Sequence, residues 1–263
     1  MKQSSDSYKK DVYYRLLKNS KYNWRKLLLL SSVKLISKLH ILQKAADTRV
    51  LIIDDTVEIK RGKFIEGSCR NLWNNKEHRT VKGLNIVSLN YSDCYTDMML
   101  DFSINYNKNQ IVNAYKRRVE GNNSKNNLAL QMVNRVLKSG IYADYLLVDS
   151  WYAKPNFIYE IKEKGLDVIA RLSKSNRIWQ FTGKYKTLER LYTRVKSHKS
   201  SKLGNYNSIK YSYVSTTTTH KTLGRIKIVF IKTKDNLIPI VSTNINLSEL
   251  EIINTYKKRW NIE

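Results

Sequence analysis

Cysteine is scarce: only Cys69 and Cys94 occur in 263 residues, and their spacing is not the CxxC type. That argues against a zinc finger or a disulfide scaffold. The four histidines, His40, His78, His198 and His220, lie equally far apart. Long apolar runs are missing too. The leucines at 27–30 are soon interrupted by Ser31, Ser32 and Lys34, far short of a bilayer span. Residues 1–6 carry no signal-peptide apolar region. These absences predict a cytoplasmic protein with no membrane partner. Acids are also in short supply, 22 against 48 lysines and arginines, which leaves a formal net charge of +26. So large an excess predicts a polyanionic partner, nucleic acid first. A lysine-rich proteome from an AT-rich genome would explain the many Lys, Asn, Ile and Tyr residues. It explains the surplus over acids less well.

Apolar residues make up 41% of the chain, enough for a real core in one large domain with an insertion or in two domains sharing an interface. The stretch Val50-Leu51-Ile52-Ile53-Asp54-Asp55-Thr56 is apolar on both faces and stops at two carboxylates. Such a run reads as a strand in the middle of a helix-covered sheet, its acidic end at the rim. Tyr145-Leu146-Leu147-Val148-Asp149-Ser150 repeats the design, and Glu263 closes a predicted helix beginning near Ser248. Three acids from distant parts of a chain are the trace expected of a metal site for phosphodiester chemistry. Two Mg²⁺ ions roughly 3.5–4 Å apart can activate a nucleophile and stabilise a leaving oxygen, and Mg²⁺ takes oxygen ligands. The plainer reading is that Asp54 and Asp149 begin turns or cap helices.

Periodicity predicts helices over 8–18 and 22–44, a basic amphipathic segment read as packing helices. Residues 60–83 read as a loop with at most a short hairpin. Strands follow over 84–91 and 98–104, joined by Ser92-Asp93-Cys94-Tyr95-Thr96. Next come a helix over 126–138, the strand ending at Asp149, a helix over 156–164 closed by Gly165, and a strand over 167–172. An antiparallel meander followed by a helical crossover demands a mixed sheet. The fold class predicted is α/β, an RNase H-like mixed sheet with flanking helices, in which adjacent parallel strand ends bring Asp54 and Asp149 together. From 176 the composition turns to Thr, Ser, Tyr and Lys, read as a β-rich insertion between the second and third acids. The predicted organisation is an N-terminal helical segment over 1–46, core over 47–175, insertion over 176–236, and the final core strand and helix over 237–263. Ser248 and Glu251 have capping-box spacing for that last helix.

Tyr256-Lys257-Lys258-Arg259-Trp260-Asn261-Ile262-Glu263 resembles the Y-x2-R-x3-E signature of bacterial insertion-sequence DDE transposases of the IS-four-like group. Ile53-Asp54-Asp55-Thr56 resembles that group's first motif, D-x-T after an apolar strand, and Leu147-Val148-Asp149-Ser150-Trp151-Tyr152 its second. The hairpin region with Lys82-Gly83 and Ser92-Asp93 is similar in style. The likeness runs from about residue 8 to the end. It implies that Asp54, Asp149 and Glu263 are the catalytic, metal-binding triad, with Asp55 the fallback for Asp54. It implies two Mg²⁺ or Mn²⁺ ions, and DNA contacts from Tyr256 and Arg259 with Lys257 and Lys258 beside them. Positions 256, 259 and 263 share one helical face. An aromatic of the insertion, such as Trp179, could stack on an extruded base, although a core role is the plainer use for it and for Trp260.

The implied activity is hydrolysis at transposon ends followed by attack of the freed 3′-hydroxyl on another phosphodiester, DNA transposition by recombination. The implied partners are double-stranded DNA, both terminal inverted repeats and target, and a second copy of the chain on the DNA. Affinity would be strongly salt-dependent. Two departures stand out: Cys94 replaces the glycine of the Ser-Asp-Gly turn, and the sequence stops on Glu263, where the family's helix continues. A truncated, catalytically silent DNA-binding remnant is therefore one alternative, and a non-transposing RNase H-like nuclease the other.

Overall fold

A computed structural model describes residues 10–19, 21–39, 47–62, 65, 67–74, 77–93, 95–105, 124–173, 187–206 and 209–262. Its centre is β1 (Val50–Ile59), whose first four residues are fully buried. Strand alternation sends Leu51 and Ile53 to one face of the sheet and Val50 and Ile52 to the other, where each joins a different apolar cluster. Burying such side chains is worth about 1.5–3 kcal/mol apiece, so the register of this strand is tightly fixed.

The expectation that this strand stops at its carboxylates is corrected. β1 pairs antiparallel with β3 (Arg79–Ser92) from Val50↔Ser92 as far as Ile59↔Gly83, which carries it past Asp54 and Asp55. Gly83 is needed at that crossing, because a Cβ there would collide with the Glu58 carbonyl. The pairing that does stop early is on the other edge. The parallel strand β5 (Tyr145–Val148) is registered with β1 only through Ile52↔Leu147. Both acids thus sit in mid-strand, just beyond the last β5 pair.

Along its far edge β3 carries β2 (Cys69–Asn74) over one part of its length and β4 (Asp97–Asn105) over the other. The polar stretch before β3 therefore contains a full strand, and its hairpin is longer than the sequence suggested. The β3–β4 turn is closed by Asp93, whose Oδ1 accepts from the Tyr95 and Thr96 N–H groups; Cys94 lies outside the described residues. After α3 (Lys125–Lys138), β5 and α4 (Pro155–Lys162), β6 (Asp167–Arg171) pairs parallel to β5. Next to β6 lies β10 (Leu237–Ser242), antiparallel, followed by β9 (Gly224–Lys232), β8 (Ile209–His220) and β7 (Lys202–Tyr206). Among the described residues this makes one ten-stranded mixed sheet in the order β2-β3-β1-β5-β6-β10-β9-β8-β7, with β4 also on β3.

The stretch expected to be β-rich also holds a helix, α5 (Leu188–His198). Leu188, Leu191 and Val195 form its buried face, and Thr187 caps it by accepting from the Arg190 N–H. The strands after it extend the core sheet through the β9–β10 pairing. Helices cover both sheet faces. α3, α4 and α5 pack with Leu51, Ile53 and Val148, whereas α6 (Glu249–Lys257) packs Ile252, Ile253 and Tyr256 against Ile52 and Leu147.

The N-terminal helices are α1 (Lys10–Lys18) and α2 (Trp24–Leu39), and the expected outer ends at 8 and 44 lie outside the described residues. α2 is tied to the core at Asp101 of β4, a buried acid that pairs with Arg25 at 3.5 Å and with Arg135 of α3 at 2.7 Å.

Candidate active site

Extending the β1–β5 register by two residues sets Asp54 opposite Asp149 at the end of β5. The ladder itself stops at Ile52↔Leu147, and the carboxylate whose charge bears on Asp149 is Asp55. The Asp149 side chain is held by its own turn: Oδ1 accepts from the Trp151 N–H at 2.9 Å and the Tyr152 N–H at 3.3 Å. The turn-forming role and the strand-end position are thus properties of the same carboxylate. Burial pushes the Asp149 carboxyl up, against those two backbone hydrogen bonds. The negative charge of Asp55 pushes the same way, and Arg259 pulls it back.

Asp54 lies on the α6 face. Its Oδ1 accepts from the Asp55 N–H and stands 3.5 Å from Nη1 of Arg259, whose side chain is 7% exposed. Asp55 points to the opposite face. There its Oδ2 accepts from Lys125 Nζ at 2.5 Å and its Oδ1 from the Tyr152 hydroxyl at 3.4 Å. Burial and the surrounding carboxylates of Asp55, Asp149 and Asp54 hold the Tyr152 phenol far above its ordinary pKa, so it acts as a neutral donor.

The signature helix differs from its expected shape. α6 begins with the capping box foreseen at Ser248 and Glu251 but gives way after Lys257 to a 3₁₀ turn over Lys258–Ile262. That tightening, usual in a last turn, breaks the regular i, i+3, i+7 face. Tyr256 is fully buried, stacks edge-on with Trp260, and donates its hydroxyl to the Val148 carbonyl at 3.3 Å. Its phenol is pushed up to about 12 by burial. In this arrangement Tyr256 is a buried packing residue that fixes the helix over the end of β5. Lys257 Nζ lies 5.8 Å from the Tyr211 ring, and Lys258 Nζ donates to the Thr48 carbonyl at 2.6 Å. Glu263 and Trp179 lie outside the described residues.

The site therefore places Asp149 under the charges of Asp55 and Arg259, with Arg259 paired to Asp54 and with Lys125 and Tyr152 held on Asp55. Among the described residues no group of three or more His, Cys, Asp or Glu side chains is placed to share a metal ion. Lys125 was not singled out by the sequence. It begins a helix seventy residues from its partner, and no motif marks it.

What the fold and site define is an α/β protein with two acids midway along β1 and a third just after the neighbouring parallel strand β5, on a strongly basic chain. The sequence model of one family, described as DDE superfamily endonuclease, matches residues 5–222. The chain belongs to this family of phosphodiester-cleaving nucleases, which act on DNA. The match takes in Asp54 and Asp149 and ends before β9, β10 and α6. No curated protein matches the chain. No helix among the described residues is long and apolar enough to cross a membrane.

Proposed function

We propose that this family member is a DNA transposase of the IS-four-like group built on an RNase H-like core, cleaving transposon ends and joining the freed 3′-hydroxyl to target DNA. The observation that supports the proposal is the parallel β1–β5 pairing, which runs through Ile52↔Leu147, two residues short of each motif acid. Asp54, Asp149 and Glu263 are the residues proposed to hold Mg²⁺ or Mn²⁺. Asp54 and Asp149 suit such an ion in donor chemistry, being carboxylate oxygens in a partly desolvated setting, where Asp149 feels both burial and the charge of Asp55. When bound, divalent ions at such a site supply nucleophile activation and stabilisation of the leaving oxygen.

The chain's own side chains orient and neutralise. The turn amides of Trp151 and Tyr152 fix the direction of the Asp149 carboxylate. Arg259, held against the Tyr256 ring, offers a buried guanidinium beside Asp54 that suits a phosphate oxygen. Lys257 and Lys258 add positive charge along the same helix. The net charge of +26 supports the DNA backbone as the main source of affinity, and a second copy of the chain is the proposed partner on paired DNA ends. The division at residues 46, 175 and 236 is kept as the proposed domain scheme.

Calorimetric titration with Mn²⁺ of wild type, Asp54→Asn and Asp149→Asn tests the shared site. Binding that collapses in both variants is expected. Wild type without binding, or variants that bind equally well, would leave a DNA-binding remnant as the better reading. Strand-transfer products separate a transposase from a nuclease that only cleaves.

A further inference from the structure

Trp151 stands two residues beyond Asp149, yet it is 56% exposed, whereas its neighbour Tyr152 is fully buried. An indole left open beside a catalytic carboxylate contributes little to the core. Its surroundings are cationic: Lys125 Nζ lies 5.3 Å from the ring centroid and Lys154 Nζ 5.7 Å. Lys125 is the same residue that grips Asp55, so the indole is connected directly to the acidic centre. Lys154 leads the other way, into a cleft of about 430 Å³ between the starts of α3 and α4 and the turn after β8. The cleft wall presents Asn126, Asn127, Asn156, Lys154 and Lys221, with Glu160 its single acid. Carboxamides are suited to hydrogen-bonding base edges and ammonium groups to phosphates. The volume falls in the range of roughly 300–1,000 Å³ typical of small-ligand sites.

We propose that Trp151 is a stacking platform for an unpaired nucleobase next to the cleavage site, and that the adjoining cleft receives the next nucleotide of the same single strand. An aromatic flanked by cations, continuous with a cleft that mixes amides and lysines with the apolar Leu130, Pro155 and Phe157, is the arrangement that favours single-stranded nucleic acid, since every base has a face to stack and every linkage a charge to neutralise. The β8 turn and the α4 start would then form the far wall of a track leading away from Asp149. This assignment rests on Asp54 and Asp149 being the cleavage centre, but its binding chemistry needs no metal.

The test is fluorescence-anisotropy binding, in EDTA, of a short labelled single strand and of its duplex. Trp151→Ala is expected to weaken single-strand binding about tenfold, Trp151→Phe to recover most of it, and duplex binding to change less than about twofold in either. A single abasic position in the probe should weaken wild type and leave Trp151→Ala unaffected. Equal single-strand binding by wild type and Trp151→Ala, or equal loss on single strand and duplex, would overturn the platform. Mn²⁺ titration of the same preparations separates the two readings. Normal metal binding with indifferent Trp151 variants sinks only the platform, whereas Trp151-dependent strand binding without a metal response sinks only the cleavage centre.

Discussion

Asp54 and Asp55 are adjacent in one strand and differ in almost everything that surrounds them. Asp54 faces α6 and meets a guanidinium at 3.5 Å, while Asp55 faces α3 and is gripped by Lys125 at 2.5 Å and by the Tyr152 hydroxyl. Both side chains are about a quarter exposed or less, 25% and 21%, so burial does not distinguish them. The distinction is made by partners. An acid already held by an ammonium and a phenol is an anchor between β1, α3 and the Asp149 turn. Asp54, which an extended β1–β5 register sets opposite Asp149 and which meets Arg259 at the longer 3.5 Å, is the carboxylate proposed as the metal ligand. The pleat of one strand thus separates a proposed catalytic carboxylate from a structural one.

The largest effect that could break this comparison is on cleavage. Asp54→Asn and Asp149→Asn should each reduce Mn²⁺-dependent nicking of supercoiled plasmid by more than about a hundredfold, beyond the 10–100-fold typical of losing a residue that merely supports a ligand. Asp55→Asn should fall within that supporting range and keep Mn²⁺ binding in calorimetry. Equal loss in Asp54→Asn and Asp55→Asn would mean that the pleat does not divide their roles.

Stability should divide in the opposite sense. Asp55→Ala leaves a mostly buried ammonium without its carboxylate. The cost expected is about 2 kcal/mol, below the roughly 3–5 kcal/mol of a fully buried pair because Lys125 remains 17% exposed. Asp54→Ala should cost about 1 kcal/mol or less in the same urea melts, its partner being farther away. Reversal of that order would assign the anchoring role to Asp54.

The comparison also explains what the sequence could reveal. An unbroken apolar run was enough to find β1 and β5, because strands buried on both faces leave a pattern that little else produces. The capping box was readable because its two residues are local. The continuation of β1 through Asp54 and Asp55 was not, since it depends on β3 pairing as far as Gly83, a partner that polar residues do not announce. α5 was hidden because composition was averaged over a long stretch, although Leu188, Leu191 and Val195 already had helical spacing. The Lys125–Asp55 pair had no local signature at all. The burial of Tyr256 follows from the 3₁₀ turn and the β5 carbonyl beneath it, and a motif written as spacing carries neither.

A smaller effect sharpens the Asp54 side. Arg259 is the cation paired with Asp54, at 3.5 Å. Arg259→Gln should therefore raise Mn²⁺ affinity a few-fold in calorimetry, by removing a positive charge that competes for the same carboxylate, and should weaken DNA binding at the same time. A fall in Mn²⁺ affinity would show instead that the guanidinium holds Asp54 in its binding orientation.

The smallest effect expected concerns the hydroxyl that joins the two sides. Tyr152 belongs to the Asp149 turn through its N–H and to Asp55 through its phenol. Its ring is buried in the core cluster beside Phe157, so Tyr152→Phe keeps the packing and removes only one long hydrogen bond to a carboxylate. About 0.5–1 kcal/mol of stability should be lost. If the bond is the only coupling, a double-mutant cycle with Asp55→Asn should return the same amount as interaction energy. A cycle near zero would mean that the phenol does not support Asp55. In that case Lys125 alone anchors the acid, and the Asp149 turn is set independently of what happens on the α3 face.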